Sequence, residues 1–148
     1  MLRVLIFHPA LAPYRVDLFN KLGSRCDLRV IFLRENLLNQ KFDQSELRSR
    51  LTVDHEYLTT GFTIGARSFR LGVGKRIRAF SPDIVVSHEF SPVTLAVSLL
   101  RRVTAEDFRH VVWSADNPMM VKGDAAVRRT LRMWLLRRAD GVLRSEER

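Results

Sequence analysis

Polar side chains that could bind or act on a ligand follow three apolar segments of this 148-residue chain, either at once or across a short loop. They are His8, Tyr14 and Arg15 after the segment 3–7, His88 and Glu89 after the segment 84–87, and Asp116 and Asn117 after the segment 110–115. Imidazole, guanidinium, carboxylate and amide groups bind hydroxyls and anions, and a histidine can also transfer a proton. Ligands of an open parallel sheet bind outside the carboxyl ends of its strands. If the three segments are parallel strands, these residues therefore share one edge.

Each set of polar residues also has an interpretation without a ligand, which the sequence leaves open. His88 and Glu89 could end a strand in solvent, and Asp116-Asn117-Pro118 is a favourable turn sequence by itself. Arg15 could be a surface arginine. It also begins a predicted helix, whose first amides favour an anion, and a guanidinium can bind a phosphate through two hydrogen bonds.

The first 33 residues predict a strand, a helix and a second strand. RVLIF at 3–7 and DLRVIFL at 27–33 are short apolar runs rich in β-branched residues. Between them, apolar residues recur at helical spacing over 14–23 and stop at Gly23. A strand, a crossover helix and a strand form a βαβ unit, which implies a parallel sheet with a right-handed crossover.

The later segments continue this alternation. The predicted elements are a short strand at 54–58, a basic helix at 72–80, strands at 84–87 and 110–115, helices at 92–102 and 125–138, and a strand from 141. Ser91 is the expected N-cap of the helix at 92–102, and Asp124 is the expected cap of the helix at 125–138. The apolar residues of the helix at 92–102 run all round it, which predicts full burial. Val127, Leu131, Trp134 and Leu135 share one face of the helix at 125–138. We therefore predict one Rossmann-like, doubly wound α/β domain over residues 1–148.

Two segments give no clear periodicity. Residues 34–51 are polar, and we predict a loop there with at most a helical turn. Residues 59–69 contain two glycines and predict a mobile connection.

Several specific chemistries are excluded by the loops. The turn HPALAPYR has no glycine, so it lacks the dinucleotide-binding pattern, and GVGKRI at 72–77 has Arg76 where a P-loop needs Ser or Thr. No Asp-x-Asp pair is present to hold a metal against a sugar diphosphate. Cys26 is the one cysteine and the four histidines are scattered, so we expect no metal site and no disulfide framework. A single cysteine favours a reducing, cytoplasmic location.

The composition is that of a folded, basic domain. Hydrophobic residues make up 46% of the chain and the formal net charge is +9. A basic balance favours an anionic partner, although charges spread along the chain are also compatible with a solvated surface. We expect no nucleic acid partner, because the cations are not interleaved with a platform of aromatic residues.

Four stretches of the sequence resemble a known family: VLIFHPALAPYRVDLFNKL, PDIVVSHEFSPVTLAVSLL, HVVWSADNP and LRRADGVLRSEE. They are similar, in order, to the N-terminal half of GT-B glycosyltransferases of the family 4 type. The resemblance implies two Rossmann-like domains that face a cleft. The N-terminal domain holds the acceptor, and the C-terminal domain holds the nucleotide-sugar donor with two glutamates eight positions apart. Transfer in the family is usually metal-independent and retains the anomeric configuration.

Carried over by position, the resemblance places the loop 8–15, with His8, Tyr14 and Arg15, against a sugar or lipid-linked saccharide acceptor. His88, Glu89, Asp116 and Asn117 line the same cleft, and His88 is a catalytic candidate by position alone. Relatives often carry Gly-Gly in the first loop and a histidine beside the later aspartate, whereas this chain has Pro-Ala-Leu-Ala-Pro and Ala115.

The resemblance also implies partners. We expect an acceptor half that binds no cofactor itself and is inactive without its C-terminal donor domain, so the chain alone is not assigned as an enzyme. Peripheral contact with the inner face of the cytoplasmic membrane is expected through Lys75, Arg76 and Arg78 and through Arg128, Arg129 and Arg132. The alternatives are a stand-alone binding module for a phosphorylated ligand or nucleic acid, and a structural fragment without activity.

Overall fold

Strands and helices alternate along the chain. A computed structural model describes residues 1–36, 41–64, 67–88, 91–104, 106–114 and 125–144, without the side chains of Ala125 and Arg128. The strands are β1 (Arg3–His8), β2 (Asp27–Phe32), β3 (Asp54–Tyr57), β4 (Gly61–Ile64), β5 (Arg67–Arg70), β6 (Ile84–His88), β7 (Arg109–Ser114) and β8 (Gly141–Arg144). The helices are α1 (Pro13–Gly23), α2 (Gln44–Arg50), α3 (Val73–Phe80), α4 (Pro92–Val103) and α5 (Ala125–Arg138).

Six of the strands form a parallel sheet in the order β3-β2-β1-β6-β7-β8. The chain moves outward from β1 through β2 to β3, returns to the centre at β6, and then moves outward in the opposite direction. The order therefore reverses between β1 and β6, which is the switch point where ligands of doubly wound sheets bind. The predicted Rossmann-like fold is confirmed.

Each face of the sheet carries its own core. On one face, Val16 and Phe19 of α1 and Leu47 of α2 pack against alternate residues of β1 and β2. On the other face, helices α3 and α4 pack against the intervening residues, such as Leu5 and Phe7 of β1. Because successive strand residues point to opposite faces, a strand with apolar residues at consecutive positions is buried on both sides.

Helix α2 corrects the loop expected over residues 34–51. Asp43 caps this helix, since its carboxylate accepts a hydrogen bond from the Glu46 backbone N–H at 3.3 Å. Leu47 is the one buried residue of the helix and packs into the core beneath α1. One cap and one apolar anchor suffice for a two-turn helix, although so short a pattern has no recognisable periodicity.

The mobile connection expected over residues 59–69 is wrong as well, because β4 and β5 form an antiparallel hairpin. Its first residue must be glycine: Gly61 has φ +132°, and a Cβ there would lie 2.0 Å from the Phe69 carbonyl oxygen. The hairpin is tied to the end of β2. Arg70 donates two hydrogen bonds to the Leu33 carbonyl, at 2.8 and 3.0 Å, and Arg34 donates one to the Ser68 hydroxyl at 2.7 Å.

The two long helices are less buried than their composition predicts. On α4 the side chains of Leu99 and Val103 are 44% and 82% exposed, so full burial of this helix was wrong. On α5 Leu135 is buried, but Val127 is 70% exposed. A helix that covers one face of a sheet needs only one buried stripe, and the remaining apolar residues face outward. No helix within the described ranges is long and apolar enough to cross a bilayer.

Candidate ligand-binding site

Three aromatic rings meet at the carboxyl edge of the sheet, beside the switch point. His8 ends β1, His88 ends β6, and Trp113 is the register partner of His88 on β7. All three side chains lie on the face that α1 covers. Their ring centroids are 5.0 Å apart for His8 and His88, 5.5 Å for His8 and Trp113, and 5.8 Å for His88 and Trp113.

The protonation state of His8 follows from its hydrogen bond. Its Nδ1 lies 3.0 Å from the Ala10 carbonyl oxygen, which can only accept, so Nδ1 carries the proton. In the neutral ring Nε2 then holds a lone pair. This atom is buried and has no hydrogen-bond partner in the described part of the chain. Burial, with His88 and Arg15 nearby, lowers the pKa of His8 to about 3, so the ring is a neutral acceptor at pH 7.

His88 has a similar character. Burial lowers its pKa to about 4, and the positive charge of Arg15 acts in the same direction. The Nδ1 atom of His88 is buried and has no partner among the residues described. A buried polar atom without a partner costs about 1–3 kcal/mol, so two such atoms on neighbouring strands indicate a place that a ligand can fill.

Arg15 supplies a positive charge beside the two imidazoles. Helix α1 begins at Pro13, which places Arg15 in its first turn, and no acidic residue lies in that turn. The guanidinium carbon lies 4.6 Å from the centroid of the Trp113 ring and 5.3 Å from that of Tyr14. Stacking on these aromatic faces positions the guanidinium without neutralising it. Its Nε is buried, and no described residue accepts a hydrogen bond from it.

A second polar cluster lies under the opposite face and is closed to ligands. The Ser87 hydroxyl and the Nε2 of His110 are 2.7 Å apart, and the Thr94 hydroxyl donates to Ser87 at 2.9 Å. A serine beside a histidine could suggest a nucleophile and its base. However, Ser87, Thr94 and His110 are 0%, 0% and 1% exposed. The cluster is therefore a structural contact that joins β6, β7 and α4. Burial lowers the pKa of His110 to about 4.

The structure brings together part of the predicted site. His8, Arg15 and His88 lie in contact distance of one another or of Trp113, and Tyr14, 61% exposed, forms the rim. Glu89, Asp116 and Asn117 lie outside the described residues. We name the group formed by His8, Arg15, His88 and Trp113 the switch-point crevice.

The predicted basic surface is partly neutralised. Arg76 pairs with Glu56 at 3.0 Å, and Arg78 pairs with Glu106 at 3.1 Å. Lys75 is exposed and forms no ion pair with a described residue. On α5, Arg129 is exposed and Arg132 is half-buried, and the Arg128 side chain lies outside the description.

Trp113 was missed as a site residue in the sequence. The alternation of side chains along a strand could have identified it: Val111, two residues before Trp113, packs on the α1 side of the sheet, so Trp113 faces the same side. In the same way Ile6, two residues before His8, and Val86, two residues before His88, pack on the α1 side. The last inward residue of each of three adjacent strands therefore faces one crevice. Neighbouring Ser114 points to the other face and is buried, and its hydroxyl has no partner among the described residues.

The described residues contain no group of three or more His, Cys, Asp or Glu side chains that could hold a metal ion. No protein-family model matches the chain, and no curated protein is significantly similar to it. The fold and the crevice are therefore the features of this chain that bear on its function.

Proposed function

We propose that this domain is the acceptor-binding half of a nucleotide-sugar-dependent glycosyltransferase that builds a cell-surface polysaccharide or glycolipid. The observation that carries the proposal is the switch-point crevice. Two neutral imidazoles, a guanidinium and an indole converge there at the edge where doubly wound sheets bind their ligands. The sequence resemblance to the N-terminal half of GT-B enzymes supports the same assignment.

The chemistry of the crevice suits a phosphorylated saccharide. The free Nε2 of His8 can accept a hydrogen bond from a sugar hydroxyl, and the Nδ1 of His88 can accept or donate one, according to which nitrogen of its neutral ring carries the proton. The guanidinium of Arg15 can donate to a phosphate, and this charge-assisted bond is stronger than one between neutral groups. A sugar phosphate, or a saccharide linked to a lipid through phosphate, presents both kinds of group.

The histidines are better suited to binding than to proton transfer. A general base works best when its pKa is near the operating pH, whereas burial lowers the pKa of His8 to about 3 and of His88 to about 4. A phosphate bound beside Arg15 would raise the pKa of His88, because a nearby negative charge favours the protonated ring. In our proposal His88 becomes competent for acid–base work only in the ligand complex, and a separate domain binds the nucleotide sugar.

Replacing Arg15 by glutamine is expected to weaken the binding of glucose 1-phosphate roughly 10- to 100-fold, since a hydrogen bond to a charged group contributes about 1.5–3 kcal/mol. Titration calorimetry with glucose 1-phosphate, glucose and inorganic phosphate measures the effect. Arg129→Gln is the matched control, because Arg129 is an exposed arginine on α5. Equal affinity of the Arg15 variant and the unaltered protein would contradict the proposal.

The same titration separates a second function. The unneutralised guanidinium of Arg15 also fits a stand-alone module that binds a phosphorylated ligand. If inorganic phosphate binds as tightly as glucose 1-phosphate, the sugar makes no contribution and the binding-module function is favoured. An acceptor site instead requires the sugar phosphate to bind more tightly than either part.

A further inference from the structure

The β4–β5 hairpin has two different faces. Cross-strand pairing places Phe62 opposite Phe69 and Ile64 opposite Arg67, so these side chains share one face. Thr63, Ser68 and Arg70 occupy the other face, and through Ser68 and Arg70 the hairpin is hydrogen-bonded to the end of β2. One face is therefore fixed to the domain, and the other is directed away from it.

The outward face is apolar and exposed. Phe62 and Ile64 are 57% and 64% exposed, and Leu71, which follows β5 in the same alternation, is 66% exposed. The rings of Phe62 and Phe69 stack on each other with centroids 5.0 Å apart. We call Phe62, Ile64, Phe69 and Leu71 the hairpin patch. A contiguous exposed apolar patch on an anchored element is typical of a surface that binds a partner.

The charge around the hairpin patch is positive. Between Tyr57 and Pro82 the chain has five Lys or Arg residues and no Asp or Glu. Arg67 lies on the outward face, and Lys75 lies in the first turn of α3, directly after the patch. Both are exposed, and neither forms an ion pair within the described ranges. The partner should therefore combine a hydrocarbon surface with negative charge.

We propose that the hairpin patch inserts into the interfacial region of an anionic lipid bilayer, with Arg67 and Lys75 at the headgroups. Aromatic and aliphatic side chains beside cations are the composition that binds at a membrane interface. In this proposal the hairpin is the inserted surface, and helix α3 contributes Lys75 to it, since Arg76 and Arg78 of that helix pair with glutamates. The inference is independent of the acceptor proposal.

Two other occupants fit less well. A second copy docked through the same patch would bring Arg67 and Lys75 toward their own counterparts, and like charges at an interface oppose association. Single-stranded nucleic acid binds to open aromatic faces, whereas Phe62 and Phe69 stack on each other and the neighbours Ile64 and Leu71 are aliphatic.

Vesicle co-sedimentation tests the proposal directly. The protein is expected to pellet with phosphatidylcholine vesicles that contain 30% phosphatidylglycerol, about 25-fold more than with pure phosphatidylcholine, and less at high salt. Phe62→Ser with Ile64→Ser should lower the partition coefficient at least tenfold. Arg67→Gln with Lys75→Gln should lower it roughly fivefold for each charge removed.

Matched controls use other exposed residues. Leu99→Ser with Val103→Ser removes two exposed apolar side chains from α4, and Lys21→Gln with Arg25→Gln removes two exposed cations at the end of α1. Both controls should retain binding, as should Arg15→Gln, which separates this surface from the switch-point crevice. Unchanged pelleting of the Phe62/Ile64 variant would overturn the proposal. So would a dimer in solution that this variant abolishes, because the patch would then belong to a second copy.

Discussion

Replacing Trp113 by alanine is expected to lower the free energy of unfolding by about 3–5 kcal/mol. The indole is 8% exposed and packs in the core beside α1, with its centroid 5.5 Å from the His8 ring and 6.5 Å from the Phe19 ring. Its removal leaves a cavity between β7 and α1, and Arg15 loses the face on which it stacks. For a domain of this size the loss corresponds to a fall in Tm of roughly 6–20 °C.

Urea unfolding followed by circular dichroism measures the effect. Trp134→Ala is the matched control: Trp134 is half-exposed on α5, so the same truncation there should cost much less. Trp113→Phe retains an aromatic ring in the core and should give an intermediate loss. Equal destabilisation by the two alanine variants would show that Trp113 does not hold the crevice together.

Acid is expected to unfold the protein between about pH 6 and pH 4. Burial is the main cause that lowers the pKa values of His8, His88 and His110 from the ordinary value of 6.5, to about 3 for His8 and to about 4 for the other two. Below pH 6.5 the unfolded chain takes up protons on these rings while the folded protein does not. Stability is therefore fully present above pH 6.5 and is lost as the pH falls toward the folded-state values.

The size of the acid effect follows from linkage. Each histidine that stays neutral only in the folded state contributes a slope of about 1.4 kcal/mol per pH unit. His8, His88 and His110 together give about 4 kcal/mol per unit, which over two units is comparable to the whole stability of a small domain. Urea titrations from pH 7 to pH 4 measure the slope, and His110→Gln should reduce it by about a third. A flat profile between pH 6.5 and pH 4.5 would contradict the buried neutral state of the three rings.

The parallel sheet was predictable because its signals are local. The run RVLIF, the helical spacing that ends at Gly23 and the run DLRVIFL lie within 33 residues, and together they are the β1-α1-β2 unit. Burial on both faces makes these strands continuously apolar, and this pattern can be recognised in the sequence without knowing which strands are neighbours. Because β1 and β6 are recognisable as strands of a parallel sheet, their carboxyl ends could be expected to lie at the same edge before their register was known.

The hairpin and the crevice depend on contacts that local patterns do not carry. β4 and β5 are four residues each, and they are joined to the end of β2 by Arg70 and Arg34, whose partners lie 37 and 34 positions away. Trp113 was missed because a tryptophan inside a strand predicts core packing, and its contact with Arg15 arises only when α1 is folded onto β7. Charge and aromatic pairing across such distances become visible only in the folded structure.

The histidine rings report directly on the proposed binding of a sugar phosphate in the switch-point crevice. The chain has four histidines, of which His8 and His88 line the crevice while His55 lies on the edge strand β3. The measurement is a titration with glucose 1-phosphate at pH 7, followed by NMR of the imidazole resonances. If the ligand binds in the crevice, the signals of His8 and His88 will move together with saturation while those of His55 stay in place. Unchanged signals from both crevice rings, in the presence of ligand at millimolar concentration, would contradict the proposed binding.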